Sequence, residues 1–142
     1  DPRCLVLEIT ESMMIDNVEL AIERLQALRD IGVLVAVDDF GTGYSSLNYI
    51  RRLPLNMLKI DKSFIDGVDA DDEQSKLTTA IIDLARVLGL RCVAEGVERP
   101  EQRDRLRRLN CDYAQGFLLA RPMSAEALSE LLGADVSRLA AT

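Results

Sequence analysis

The sequence predicts an α/β fold, a TIM-like (β/α) barrel that is here incomplete, with about five strand–helix units around a parallel sheet. Three observations carry that prediction. Short apolar runs alternate with stretches in which apolar residues recur at helical spacing, the pattern of βα units. Each apolar run stops at polar residues of catalytic type, and a barrel gathers the C-terminal ends of its parallel strands at one face. Finally, the 142 residues are little more than half of the about 250 that such a barrel takes. The segment alone leaves a sheet edge to be covered, by further chain or by a neighbouring copy.

The elements follow in order. Residues 4–11 form a strand that ends in acids. Asp16, with Glu19 three residues on, marks a helix start. Val18, Ile22, Leu25 and Leu28 continue at helical spacing, and Gly32 ends the helix. Residues 33–37 are five consecutive apolar residues, a buried strand that delivers Asp38 and Asp39 to its end. Gly41-Thr42-Gly43 then turns into a helix from about Ser45 that stops before Pro54. Residues 57–61 make a third strand. The acidic stretch with Asp66, Asp69, Asp71 and Asp72 reads as a solvated loop and helix cap. Leu77, Ala80, Ile81, Leu84 and Leu88 mark the next helix, closed by Gly89. Residues 90–94 are a fourth strand, leading into Glu95-Gly96-Val97-Glu98. Pro100 suits the first turn of a helix to about Asn110, whose many charges demand a solvated face. Residues 113–116 form a brief fifth strand, and Ser124 caps a last helix carrying Leu128, Leu131 and Leu132. Residues 134–142 read as a small, polar C-terminal tail to a structured portion spanning 1–133.

Composition narrows the function. The chain is 48% hydrophobic and 29% charged, which suits a globular protein with a real core. No apolar run approaches the roughly 20 residues of a membrane span. A net charge of −7 argues against a DNA or RNA binder, which wants a basic face. The three cysteines, Cys4, Cys92 and Cys111, have no zinc-finger spacing and read as reduced thiols in a cytoplasmic protein. With no histidine in the chain, histidine-based triads and His-zinc sites are excluded, so any metal is held by oxygen, as suits Mg²⁺ or Mn²⁺. The chain opens Asp1-Pro2 without an initiator Met, and the expectation is a piece excised from a longer protein.

The strand ends define the candidate site. They carry Glu8 and Glu11, then Asp38 and Asp39, then Lys59 and Asp61, then Glu95 and Glu98, and finally Gln115. Two carboxylates about 5 Å apart repel by about 3 kcal/mol at an effective dielectric near 20, so adjacent Asp38 and Asp39 call for a cation or a proton between them. Two divalent ions would resolve a cluster of this kind and would suit phosphate-ester hydrolysis. Lys59 would orient a water or neutralise a phosphate oxygen, and a carboxylate outside the metal shell would take a proton from the attacking water. The plain structural alternative is that Glu11, Asp61 and Glu98 only cap helices and that Lys59 is solvated. A dinucleotide-binding turn at Gly41-Thr42-Gly43, with Asp61 as the ribose acid, fits poorly. Position 46 is Ser, and two carboxylates precede the turn.

These residues also carry a resemblance. Asp38-Asp39-Phe40-Gly41-Thr42-Gly43-Tyr44-Ser45-Ser46-Leu47 resembles the DDFGTGYSSL signature of the EAL-domain family, whose members are cyclic di-GMP phosphodiesterases. Leu7-Glu8-Ile9-Thr10-Glu11-Ser12 resembles the family's ELTES motif, Leu58-Lys59-Ile60-Asp61 its LKID strand, Val93-Ala94-Glu95-Gly96-Val97-Glu98 its AEGVE motif and Gln115-Gly116-Phe117 its QGF. The five occur in order, which is far more specific than any one of them.

The resemblance implies a metal-dependent TIM-like barrel of which this chain is the C-terminal part. It would cleave one phosphodiester of cyclic di-GMP to give the linear dinucleotide pGpG. Glu8, Asp38 and Asp39 would be metal ligands, Lys59 would hold the attacking water or the phosphate, and Glu95 would act as the base or orient the water. Glu98, Gln115 and Asp61 would support the site and substrate. Glu11 would anchor the loop containing Gly41, Thr42, Gly43, Ser45 and Ser46, and a homodimer would form through residues 40–47. In the family, the namesake Glu-Ala-Leu motif, a metal-binding asparagine and a substrate-binding arginine lie upstream of the ELTES-like segment, and no counterpart of that upstream region is in this sequence. The alternatives are an inactive cyclic di-GMP-binding or regulatory module, and an unrelated Mg²⁺-dependent enzyme of the TIM type.

Overall fold

The computed structural model describes residues 1–10, 18–41, 50–70 and 73–139, with side chains to residue 133. After a short 3₁₀ turn at Pro2–Cys4, the elements are β1 (Val6–Thr10), α1 (Val18–Asp30), β2 (Leu34–Phe40), β3 (Met57–Ile60), α2 (Lys62–Ile65), α3 (Glu73–Val87), β4 (Arg91–Ala94), α4 (Pro100–Arg108), β5 (Tyr113–Ala114) and α5 (Ala125–Leu139). The five strands form one sheet in the order β1-β2-β3-β4-β5. Every neighbouring pair is parallel. The sheet is open, as the sequence predicts for an incomplete barrel, and sequential parallel order with helical crossovers is how such barrels are wound.

The side-chain period of two sorts each strand onto two faces. On the outer face Ile9, Val35, Val37, Leu58, Ile60, Cys92 and Ala94 are buried. They pack with Leu25 of α1, Ile65 of α2, Ile81, Ile82 and Ala85 of α3 and Leu106 of α4 in one continuous core. Each large side chain fully buried there contributes about 1.5–3 kcal/mol. The inner face is a cleft of about 290 Å³ lined by Glu8, Ala36, Lys59, Val93, Tyr113 and Gln115, among others. Exposed apolar side chains gather at the two ends of the sheet order, with Leu5 and Leu7 at β1 and Phe117 and Leu119 after β5.

Two expectations need correction. The acidic stretch after β3 is not only a solvated loop. Asp61 caps a short helix there, accepting from the Ser63 backbone N–H at 3.0 Å, and Ile65 and Val68 are fully buried. Two apolar residues three apart among many aspartates are enough to seat the segment on the core. The last helix also does not end near Gly133 but runs to Leu139. A single interior glycine costs only about 1 kcal/mol of helix propensity, and Ala134, Val136 and Leu139 can continue the pattern. The Asp16 cap, Asp71 and Asp72 lie outside the described residues, as does all of the helix predicted from about Ser45 except its end at Ile50.

Candidate active site

The C-terminal ends of the strands do converge. The Lys59 Nζ lies 2.7 Å from Glu8 Oε2, 2.9 Å from Asp38 Oδ1 and 2.7 Å from Glu95 Oε1. Three donors on one ammonium thus meet three carboxylates from three different strand ends, which is the full donor capacity of a lysine. The lysine side chain is only 7% exposed. Burial alone would pull its pKa down, but the hydrogen bonds to Glu8, Glu95 and Asp38 outweigh that, and the net shift is upward from the ordinary 10.5. Lys59 is therefore a fixed positive charge. Burial pushes the Glu95 carboxyl above its ordinary value, even though the bond to Lys59 acts the other way.

Asp38 and Asp39 share one place through a defect in β2. Val37 pairs with Leu58, but it is Phe40 that pairs with Ile60. Three steps along β2 thus oppose two along β3, so β2 carries one extra residue, a bulge. Asp39 sits in the left-handed region with φ 53°, and its backbone N–H donates to Asp38 Oδ1 at 3.1 Å. In a regular strand the two carboxylates would point to opposite faces. Here oxygens of Asp38, Asp39 and Glu95 lie within 4.8 Å of one another. A left-handed non-glycine residue costs about 1–2 kcal/mol, least for Asp or Asn with a local hydrogen bond. Three carboxylates bond the one ammonium, and a fourth, Asp39, lies beside Asp38 and Glu95. A set made wholly of carboxylate oxygens with excess negative charge fits a hard divalent cation such as Mg²⁺ or Mn²⁺.

The remaining predicted residues fall into three groups. Gln115 joins the cluster, its Nε2 donating to Glu95 Oε1 at 2.8 Å. Backbone pairing beyond the regular strands holds that contact, because Glu95 N–H donates to the Ile60 carbonyl and Gln115 N–H to the Ala94 carbonyl. Glu98 stands beside it on the next loop and pairs with Lys62 at 2.6 Å. That bond holds the Glu98 carboxyl below its ordinary range. Asp61 makes its hydrogen bonds to Ser63, within the cap of α2, and these depress its pKa. Gly41 has φ +99°, and a Cβ there would come within 2.8 Å of the Phe64 ring. Glu11, Thr42, Gly43, Ser45 and Ser46 lie outside the described residues, as does most of the expected dimer segment 40–47.

Sequence reasoning missed two positioning residues. Lys62, which pairs with Glu98, follows the Leu58-Lys59-Ile60-Asp61 strand directly. Gln102 is buried, and its amide oxygen accepts from the backbone N–H of both Glu98 and Arg99 at 2.9 Å, while its Nε2 donates to the Ile65 carbonyl at 3.2 Å. It ties the Glu98 loop to α2. A Gln at the third position of a helix that begins with proline is half of a capping box, and that signal was available.

Comparison with known proteins places this geometry in a family. A family model described as EAL domain matches residues 1–122. The cyclic di-GMP phosphodiesterase NbdA of Pseudomonas aeruginosa is 48% identical over 130 residues, which is 92% of this chain and 17% of that protein. The solved PaMucR phosphodiesterase, c-di-GMP complex, is 47% identical with a TM-score of 0.83, over 89% of this chain and 51% of that one. A Klebsiella pneumoniae BlrP1 manganese/cy-diGMP complex is 31% identical with a TM-score of 0.74, over 82% of this chain and 30% of that one. The chain therefore spans under a fifth of NbdA and about half of the solved PaMucR chain.

Proposed function

The chain belongs to the EAL domain family, and from that premise we propose that it supplies most of the acidic active site of a cyclic di-GMP phosphodiesterase that works in the cytoplasm. The reaction is hydrolysis of one phosphodiester to the linear dinucleotide pGpG. Glu8, Asp38 and Asp39 would hold the metal, two ions of Mg²⁺ or Mn²⁺. Bound there, such ions stabilise charge on the phosphoryl oxygens and make water a better nucleophile at neutral pH. The observation that carries the reading is the convergence of Glu8, Asp38 and Glu95 on the buried Lys59 ammonium, with oxygens of Asp38, Asp39 and Glu95 within 4.8 Å of one another.

The chain's own groups have separate tasks. Glu95 accepts the proton of the attacking water. Its raised pKa suits that task, because a base works best when its pKa approaches the working pH. Lys59, locked in its charged state, aligns Glu8, Asp38 and Glu95 and faces the negative charge that builds on the phosphoryl group. Gln115 fixes the rotamer of Glu95 through its 2.8 Å bond. Glu98, Asp61, Lys62 and Gln102 keep the flanking loops in place. Glu11, Gly41, Thr42, Gly43, Ser45 and Ser46 shape the loop after β2, through which two copies pair.

Turnover of cyclic di-GMP by the protein at its natural length, with Mg²⁺ or Mn²⁺ and with a chelator control, tests the reading. Metal-dependent release of pGpG is the expected result. Saturable binding without product would assign the chain to a binding module instead. No helix among the described residues is long and apolar enough to cross a membrane.

A further inference from the structure

The proposed reaction makes no use of the cysteines, and the structure brings two of them together. Cys92 lies in β4 on the outer face of the sheet and is 1% exposed, while Cys111 lies half-buried in the turn between α4 and β5. Nineteen residues separate them along the chain. In the fold, the Cys111 thiol donates to the Cys92 carbonyl oxygen at 3.6 Å and to that of Tyr113 at 3.3 Å. The Cys92 end is pinned as well, its backbone N–H donating to Asp112 Oδ2 at 2.8 Å. Val93 pairs with Tyr113 and Ala94 with Ala114 in the ladder just beyond. Cys92 is therefore held on β4 and Cys111 in the turn that leads into its neighbour β5.

We propose that Cys92 and Cys111 form an oxidisable dithiol, a modification site at the β4–β5 junction that a hydroperoxide closes to an intrachain disulfide. The two thiols have unequal roles. The neighbouring Cys92 holds the Cys111 thiol below its ordinary pKa against the opposing effect of burial. The Cys111 neighbour and burial push the Cys92 thiol above its ordinary range. Cys111, the more accessible of the two, is the nucleophile, since the thiolate is the reactive form.

The chemistry balances with the peroxide as the named oxidant. The Cys111 thiolate attacks one peroxide oxygen. An S–O bond forms, the O–O bond breaks, and hydroxide leaves, which makes the sulfenic acid. The Cys92 sulfur then attacks that sulfur. An S–S bond forms, the S–O bond breaks, and the Cys92 proton leaves with the hydroxyl as water. With hydrogen peroxide the leaving hydroxide takes up the proton that Cys111 released, so two thiols and one peroxide become one disulfide and two waters, each sulfur losing one electron. Cys92 lies three residues before Glu95 and Cys111 four before Gln115, so the disulfide clamps the two strands whose ends carry the Glu95–Gln115 bond.

Peptide mapping after peroxide treatment tests the proposal in the folded protein at its natural length. Trypsin cuts after Arg91 and Arg108 and so releases the two cysteines on separate peptides. The expected product is a single linked pair, lighter by two hydrogens than the two reduced peptides and separated again by dithiothreitol. Cys111→Ser should leave Cys92 reduced under the same treatment, because Cys92 is buried. Cys92→Ala should send Cys111 on to sulfinic acid. Wild-type protein that yields no linked pair overturns the proposal. So does wild-type Cys111 overoxidised as fast as in Cys92→Ala. The wild-type mapping decides by itself if either variant fails to fold.

Discussion

Leu58 and Lys59 are neighbours on β3, and they belong to different halves of the protein. Leu58 points outward into the helices, where Val35, Val37, Ile60 and Ala94 are likewise fully buried. Lys59 points inward to Glu8, Asp38 and Glu95. The outer face gains stability from packing, with no charge to desolvate. The inner face crowds carboxylates, holds Asp39 in a left-handed conformation and burns part of that stability to place charge. Local rules broken together on one face and obeyed on the other mark that face as the functional one.

Three substitutions break or sharpen the contrast. The largest effect is expected on turnover, from Glu95→Gln. The amide keeps the shape and can still accept from Gln115, but it cannot take a proton. Turnover should fall about 10²–10⁴-fold while cyclic di-GMP affinity changes little, as steady-state kinetics and calorimetry would read. Wild-type turnover in this variant would remove Glu95 from the mechanism.

On the outer face, Leu58→Ala should lower unfolding free energy by about 2–5 kcal/mol in urea titrations and leave turnover per folded molecule nearly unchanged. A folded Leu58→Ala protein as inactive as Glu95→Gln would mean that the two faces are not separable.

Lys59→Met gives the smaller and more diagnostic effect. Breaking a buried ion pair costs about 3–5 kcal/mol, but Glu8 is half-exposed and screened, so about 2 kcal/mol is expected at neutral pH. The pH dependence has a definite sign. Because the folded-state pKa of Lys59 is raised, its stabilisation is fully present below the ordinary 10.5 and is lost as pH rises beyond it. The stability gap between wild type and Lys59→Met should therefore be flat from neutral pH to pH 10.5 and shrink above it. A gap that stays constant through alkaline pH would mean that the lysine contributes by packing alone.

Much of the fold was legible because the local signals agreed. Five apolar runs, each followed by helical spacing, predicted the five parallel strands, and the strand-end residues pointed to Glu8, Asp38, Lys59, Glu95 and Gln115 as one group. The bulge in β2 was not legible, because it depends on how Phe40 and Ile60 pair across strands. Nor was the short helix α2, where buried Ile65 and Val68 prevail over an acidic composition. Gln102 was legible only as half of a capping box, and its burial was not. A glutamine in a run of charges reads as surface until the Glu98 loop is folded over it.

The sequence by itself determined the alternation of strands and helices, the all-oxygen character of the acidic site and the family. Those follow from residue type and spacing, which act over a few positions of chain. Tertiary structure alone decided that Lys59 would meet three carboxylates at once, that Asp38 and Asp39 would share a face, and that the Cys111 thiol would reach the Cys92 carbonyl. Each of those contacts joins residues whose distance is set by strand register and packing, and register is a property of the assembled sheet.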